Sequence, residues 1–290
     1  TEGMNHNVRP QDDFYEYANG GWLAATEIPA DEVGWGSYMT LRKESLEQSK
    51  AIVIEAAENP ESDAGKVKIG NYYSAYMNEA GIEQLGTTPI AGDLAAIGKL
   101  ETHIDIAGYF GRSNAIGVDA PFNLYVGQDD KDATSYAMFF MQSGLGLPDR
   151  EYYIDQSERG LLIIYKYKTY IEELFAHNGE PDGAAAAERI FALESKLAAA
   201  QWSKVDNRDA DKVYNKYTRA ELAALLSNVD LDQYLADIGA ADLDYAIVSQ
   251  PSYMEQFNRL FQQTDVATWK DYLRLQLTSS FAPYLSTNYV

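Results

Sequence analysis

The sequence predicts a mainly α-helical fold with a small antiparallel β-hairpin, and three observations carry that expectation. Apolar residues recur at helical spacing along most of the 290 residues. One stretch breaks the habit: Phe122, Leu124 and Val126 alternate with Asn123 and Tyr125, Gln128-Asp129-Asp130-Lys131-Asp132 interrupts, and Tyr136 to Met141 resumes with Met138 and Phe140 on one face. No repeat, low-complexity tract or long linker divides the chain, so a single unit over residues 1–290 is expected.

Taken in order, residues 1–10 are polar and expected to be loose. Phe14, Tyr15, Tyr17 and Trp22 crowd a short helix expected to stop at Gly20-Gly21. A loop from Ile28-Pro29 through Gly34-Trp35-Gly36 leads to a helix over 38–57 that ends near Asn59-Pro60. Ile69, Tyr72, Tyr73, Tyr76, Met77 and Ala80 then repeat as one helical face, expected to be buried and closed by Gly81. Pro89 opens a short helix to Lys99, and Thr102 with Asp105 forms a capping box for a helix to Arg112.

After the hairpin, Gly144-Leu145-Gly146-Leu147-Pro148 demands a sharp turn before a helix from Ser157. That helix carries Ile164, Tyr167, Ile171, Leu174 and Phe175 inward and ends at His177-Asn178-Gly179. An alanine-rich helix over 184–202 turns Ile190, Leu193 and Leu197 to the core. Thr218 and Glu221 cap the next helix. Further helices are expected over 231–238, 252–263 and 266–280, with a short strand at 245–249.

Composition narrows the function. A net charge of −21 disfavours nucleic acid and anionic membrane surfaces as partners, because both are held by basic patches. No apolar run approaches the roughly 20 residues of a membrane-spanning helix. Without cysteine, neither disulfides nor thiolate metal sites are available. The chain opens at Thr1 with no basic segment and apolar core, so a signal peptide is not expected within it. His6, His103 and His177 are isolated from one another and lack metal-ligand spacing. Asp129, Asp130 and Asp132 lack the glycine and terminal glutamate of a calcium loop and are read as a solvated hairpin tip. Gly144-x-Gly146 is turn chemistry, and no G-x-S-x-G nucleophile motif occurs.

Several runs carry a resemblance. Asn123-Leu124-Tyr125-Val126-Gly127, Asp129-Asp130-Lys131, Leu145-Gly146-Leu147-Pro148, Arg150 and Tyr152-Tyr153 resemble, in order, the N-terminal half of the neprilysin and endothelin-converting-enzyme family of zinc metallopeptidases, in its bacterial oligopeptidase form. Asp12-Asp13-Phe14-Tyr15, Tyr17-Ala18, Gly20-Gly21-Trp22, the Asn207-Arg208-Asp209 run and Tyr214-Asn215-Lys216 extend the likeness along nearly the whole chain. Cysteines often flank the opening motif in that family; Gln11 and Asn19 stand here instead.

The resemblance implies the N-terminal portion of a zinc metalloendopeptidase that hydrolyses oligopeptides, located in the periplasm or outside the cell, secreted or envelope-associated, with the cytoplasm as the alternative. Its H-E-x-x-H motif and third zinc ligand would lie in a catalytic C-terminal portion beyond Val290, so this chain is expected to contain no catalytic residue, to bind no zinc and to be inactive alone. Its partners would be peptide substrates and that catalytic portion. The segment equivalent to Gly34–Met39 faces the central cavity in the family, where an arginine engages the free carboxylate of short substrates. Here Gly34 takes the arginine position and Met39 a nearby acidic one, which leaves Gly34, Trp35, Tyr38 and Met39 as substrate-facing candidates. Two other classes fit the residues: a non-enzymatic helical module that binds peptides or proteins, and a glycan-binding envelope protein suggested by 22 tyrosines and acidity.

Overall fold

Capping side chains set where the helices start. In the computed structural model, which describes residues 3–59 and 63–289, Asp13 accepts the Glu16 N–H at 2.9 Å to open α1 (Phe14–Ala25). The helix stop expected at Pro60 and the terminal residues Thr1 and Val290 lie outside the described residues. The chain forms two compact units, Thr1–Asn78 and Glu79–Val290, where the sequence reading expects one.

The first unit holds α1, α2 (Ser37–Glu58) and α3 (Ala64–Tyr76). Helix α1 does not stop at its glycine pair. Gly20 serves close packing instead, since a Cβ there would lie 2.7 Å from Asn5 Cβ. Helices α2 and α3 meet through small residues: a Cβ on Gly70 would sit 2.4 Å from the Ala56 carbonyl oxygen. That contact leaves the large apolar side chains outside it. Contrary to expectation, the face that includes Ile69, Tyr72 and Met77 is 42%, 68% and 51% exposed, and Gly81 lies inside the following helix rather than closing α3.

The second unit begins with α4 (Glu79–Leu85), a 3-10 turn at Thr88–Ile90, α5 (Ala91–Gly98) and α6 (His103–Ala115). The hairpin β1 (Phe122–Asp129) and β2 (Asp132–Gln142) follows, then α7 (Glu151–Ile154), α8 (Glu158–His177) and α9 (Gly183–Ala200). The remainder is β3 (Lys216–Thr218), α10 (Arg219–Leu225), α11 (Leu231–Asp237), β4 (Tyr245–Val248), α12 (Pro251–Gln263) and α13 (Val266–Phe281). Both expected capping boxes, Thr102 with Asp105 and Thr218 with Glu221, are formed. Gly179 ends α8 at φ +77°, the left-handed conformation glycine permits.

Trp269 is fully buried among Phe110, Phe257 and Phe261, with its ring centroid 5.4 Å from that of Phe110 and 5.6 Å from that of Phe261. Its indole N–H donates to the Phe261 carbonyl at 3.1 Å, so the polar edge is satisfied within the core. Tyr272, Leu273 and Leu277 are buried, because α13 packs against α5, α6, α8 and α9. Tyr284 is half exposed.

The hairpin belongs to a four-stranded sheet in the order β1-β2-β4-β3. Strands β1 and β2 pair antiparallel, β2 and β4 parallel with Met138 opposite Ala246, and β3 closes antiparallel on β4. One face carries Phe122 and Phe140 into the main core; the other gathers Ala137, Phe139 and Ile247 beneath Tyr214 and Tyr245. Asp129 is not a solvated tip residue. It is 1% exposed, accepts the Lys131 N–H at 2.9 Å and the hydroxyls of Tyr214 and Tyr245 at 2.8 and 3.1 Å, and lies 3.6 Å from Lys216 Nζ.

The Lys131 N–H, then the Tyr214 hydroxyl, hold the Asp129 carboxyl down at about 2. A depressed carboxyl stabilises the fold above its ordinary range and loses that contribution as the pH falls from about 4 to about 2. Near-ultraviolet circular dichroism should therefore show an acid transition in that window, smaller in Asp129→Asn than in the wild type.

Candidate functional site

The loop before α2 brings the substrate-facing candidates together at one helix N-terminus. Gly36 precedes the first helical residue with fully extended backbone, φ 172°. No atom lies within 4 Å of a Cβ built on Gly34 or Gly36, so the ground in front of both is open. Trp35 is half-buried, with Lys43 Nζ 5.9 Å from its ring centroid, and Asp31 lies 3.9 Å from the same ammonium. In the first turn of α2, Tyr38 is 76% exposed and Met39 half-buried. Neither aromatic plugs a core.

The three histidines stay apart. The His6 ring sits edge-on to Tyr17 at 5.9 Å, the His103 ring nitrogen Nε2 is 2.8 Å from the Thr264 carbonyl, and His177 ends α8 beside Tyr289. Among the described residues no three His, Cys, Asp or Glu side chains come together as a metal site. The residues present therefore do not fit a catalytic zinc, and no zinc-dependent step is derived from them.

A second concave region lies in the second unit, where the glycine-rich turn faces the segment after α9. It is a cleft of about 680 Å³ whose walls include Gly144 to Glu151 and Gln201 to Val205. Side-chain amides fix those walls. The Gln142 carboxamide accepts the Trp202 N–H at 2.7 Å and donates to the Trp202 carbonyl at 3.0 Å, while Gln201 Nε2 donates to the Ser143 carbonyl at 2.9 Å. Arg150 Nη1 donates to the Gln201 carbonyl, joining the two walls directly. At the rim, Lys204 pairs with Asp149 at 2.5 Å and holds its carboxyl below the usual range.

The turn lies on a layer of phenols. Gly144 has φ +81°, and a Cβ there would fall 2.3 Å from the Tyr272 hydroxyl; one on Gly146 would fall 1.9 Å from the Tyr167 hydroxyl. Below sits Glu194, 0% exposed. Its Oε1 accepts the Gly146 N–H at 3.1 Å, and its Oε2 accepts the hydroxyls of Tyr153 and Tyr167, each at 2.7 Å. The Tyr153 hydroxyl in turn accepts the Leu147 N–H at 3.1 Å. Burial pushes the Glu194 carboxyl up to about 7, against the opposing pull of these donors. Glu194 was not among the sequence candidates. Its signal was a carboxylate within the apolar stripe of Ile190, Leu193 and Leu197.

The fold is mainly helical, with a small four-stranded sheet. The profile of peptidase family M13 matches residues 10–290, and the chain belongs to that family, matching its N-terminal domain. Human endothelin-converting enzyme 1 (Homo sapiens) is 29% identical over 300 residues, covering 96% of this chain and 38% of its own length. Neprilysin-11 of Caenorhabditis elegans is 27% identical, covering 99% of this chain and 36% of its own. The Mycobacterium tuberculosis zinc metalloprotease Zmp1 in complex with inhibitor superposes with a TM-score of 0.87 at 33% identity, over 99% of this chain and 44% of that one. PepO from Lactobacillus rhamnosis shares the fold at 18% identity and a TM-score of 0.73. The chain thus spans well under half the length of each of these relatives. Among the described residues no helix is long and apolar enough to cross a membrane.

Gly146→Ala should drive a methyl group into the Tyr167 hydroxyl and lift the turn. We expect a loss of about 1–3 kcal/mol, the usual cost of overpacking, read as a lower urea midpoint with an unchanged slope.

Proposed function

We propose that this chain is the N-terminal, substrate-restricting portion of a zinc metalloendopeptidase that cleaves oligopeptides in the periplasm or outside the cell. Residues 1–290 act in it together with a catalytic portion that supplies the zinc ligands. The observation that carries this reading is the apolar surface of the first unit. Phe14 on α1 and Leu41, Leu46 and Ile52 on α2 are 70%, 65%, 57% and 58% exposed. Relatives more than twice as long supply the further chain that would cover it. The Mycobacterium tuberculosis relative, described as a zinc metalloprotease in inhibitor-bound and open states, supports the activity and an enclosure that opens.

In this reading Trp35 and Tyr38 form an apolar wall beside the peptide, and the open ground at Gly34 replaces a carboxylate clamp. Substrates are then held along their length rather than by a terminal carboxylate, which favours cleavage inside longer peptides over release of dipeptides.

Two measurements test the proposal. The 290-residue chain alone should bind no stoichiometric zinc and hydrolyse no peptide; chelator-sensitive turnover by the pure chain would overturn it. In the full-length protein, Gly34→Arg should raise kcat/KM roughly tenfold for short substrates with a free C-terminal carboxylate over their amidated forms, the scale of one charge-assisted hydrogen bond. An unchanged ratio would remove Gly34 from the substrate path.

A further inference from the structure

Glu194 is the one fully buried carboxylate on α9, and it joins that helix to four other parts of the second unit. Gly146 reaches it from the turn, Tyr153 from α7, Tyr167 from α8 and Gln276 from α13, the last at 3.4 Å. Every one of these partners is a donor. The titratable groups that face it are phenols, those of Tyr153, Tyr167 and Tyr272, all pushed above their ordinary range and neutral. The arginines of α9 and α13 are paired elsewhere, Arg189 with Asp271 at 2.5 Å and Arg274 with Asp271 at 3.3 Å and with Glu180 at 3.1 Å, and make no hydrogen bond to Glu194. Among the described residues no cation compensates the carboxylate.

Two forces therefore oppose each other at this site. Burial without a counter-charge favours the neutral acid, and four donors favour the anion. The neutral acid brings a hydrogen of its own into a ring of donors. The Tyr167 phenol can rotate to accept it at Oε2, while Oε1 becomes the carbonyl oxygen that still faces the Gly146 N–H. On protonation the bond to the turn passes from charge-assisted to neutral and weakens.

We propose that Glu194 is a proton-operated latch for the Gly144–Arg150 turn: as a carboxylate it pins the turn to the phenol layer by a charge-assisted bond, and on taking up a proton it weakens its hold on Gly146 and loosens one wall of the 680 Å³ cleft. The inference stands on the second unit alone and is independent of the peptidase reading. Glu194 is here a positioning residue. It touches no ligand and acts through the turn.

The test is amide hydrogen exchange of Gly146 and Leu147 in the 290-residue chain, corrected for intrinsic rates, from about pH 5 to about pH 8.5. Protection should fall about fivefold as the pH drops through neutrality, the factor for one hydrogen bond weakened by about 1 kcal/mol. In Glu194→Gln the protection should be flat with pH. Tyr153→Phe, which keeps the ring, removes a donor to the anion and should move the midpoint to higher pH, so the proposal remains testable even if Glu194→Gln does not fold. Infrared difference spectra should show a protonated-carboxyl band that grows with the same midpoint and is missing from Glu194→Gln. Flat protection in the wild type, a step that survives in Glu194→Gln, or an unmoved midpoint in Tyr153→Phe would each overturn the proposal.

Discussion

The burial of Trp269 between α6 and α12 is the interaction on which the second unit depends. It fixes α13, and α13 is shared property. One of its faces closes the aromatic core through Phe110, Phe257 and Phe261. From the same helix, the Tyr272 hydroxyl donates to the Gly144 carbonyl at 2.9 Å and Gln276 reaches Glu194. The cleft wall is thus supported by an element whose position is set by the largest side chain in the core, so the geometry of the glycine-rich turn is inherited from hydrophobic packing rather than from the turn itself.

Local rules were legible where the determinants were local. The Thr102 and Thr218 capping boxes, the left-handed Gly179 and the alternation of Phe122 to Met141 each depend on a few adjacent residues, and each stands where the sequence placed it. Strand β3 escaped because three residues, Lys216 to Thr218, carry too little alternation to register, and it exists through pairing with β4. Asp129 looked like turn punctuation because its partners, Tyr214 and Tyr245, lie 85 and 116 residues further on. Glu194 was hidden in the same way, among alanines whose spacing spoke only of a helix. At Gly20 and Gly146 the sequence showed glycine, but whether it ends a helix, bends a turn or makes room for a neighbour is decided by tertiary contact.

The largest difference concerns the first unit. Periodicity in Ile69 to Met77 states that a face is apolar and says nothing of where the cover comes from. In the second unit the equivalent stripes of α12 and α13 are satisfied internally; in the first, α2 and α3 meet closely at Ala56 and Gly70 and through the Lys66–Glu55 ion pair. A net charge of −21 makes the surface around that face self-repelling.

The parallel pairing of β2 with β4 sets an order of events during synthesis. The hairpin leaves the ribosome early, yet Phe139, Ala137 and the Asp129 carboxylate must wait for Tyr245, 116 residues beyond Asp129. At usual elongation rates that interval is on the order of ten seconds. Throughout it the nascent chain presents a two-stranded ribbon with an unpaired edge on β2, the arrangement that invites pairing with the wrong strand. Met138, Phe139 and Phe140, the residues that later meet β4, are the part of that edge left unpaired the longest.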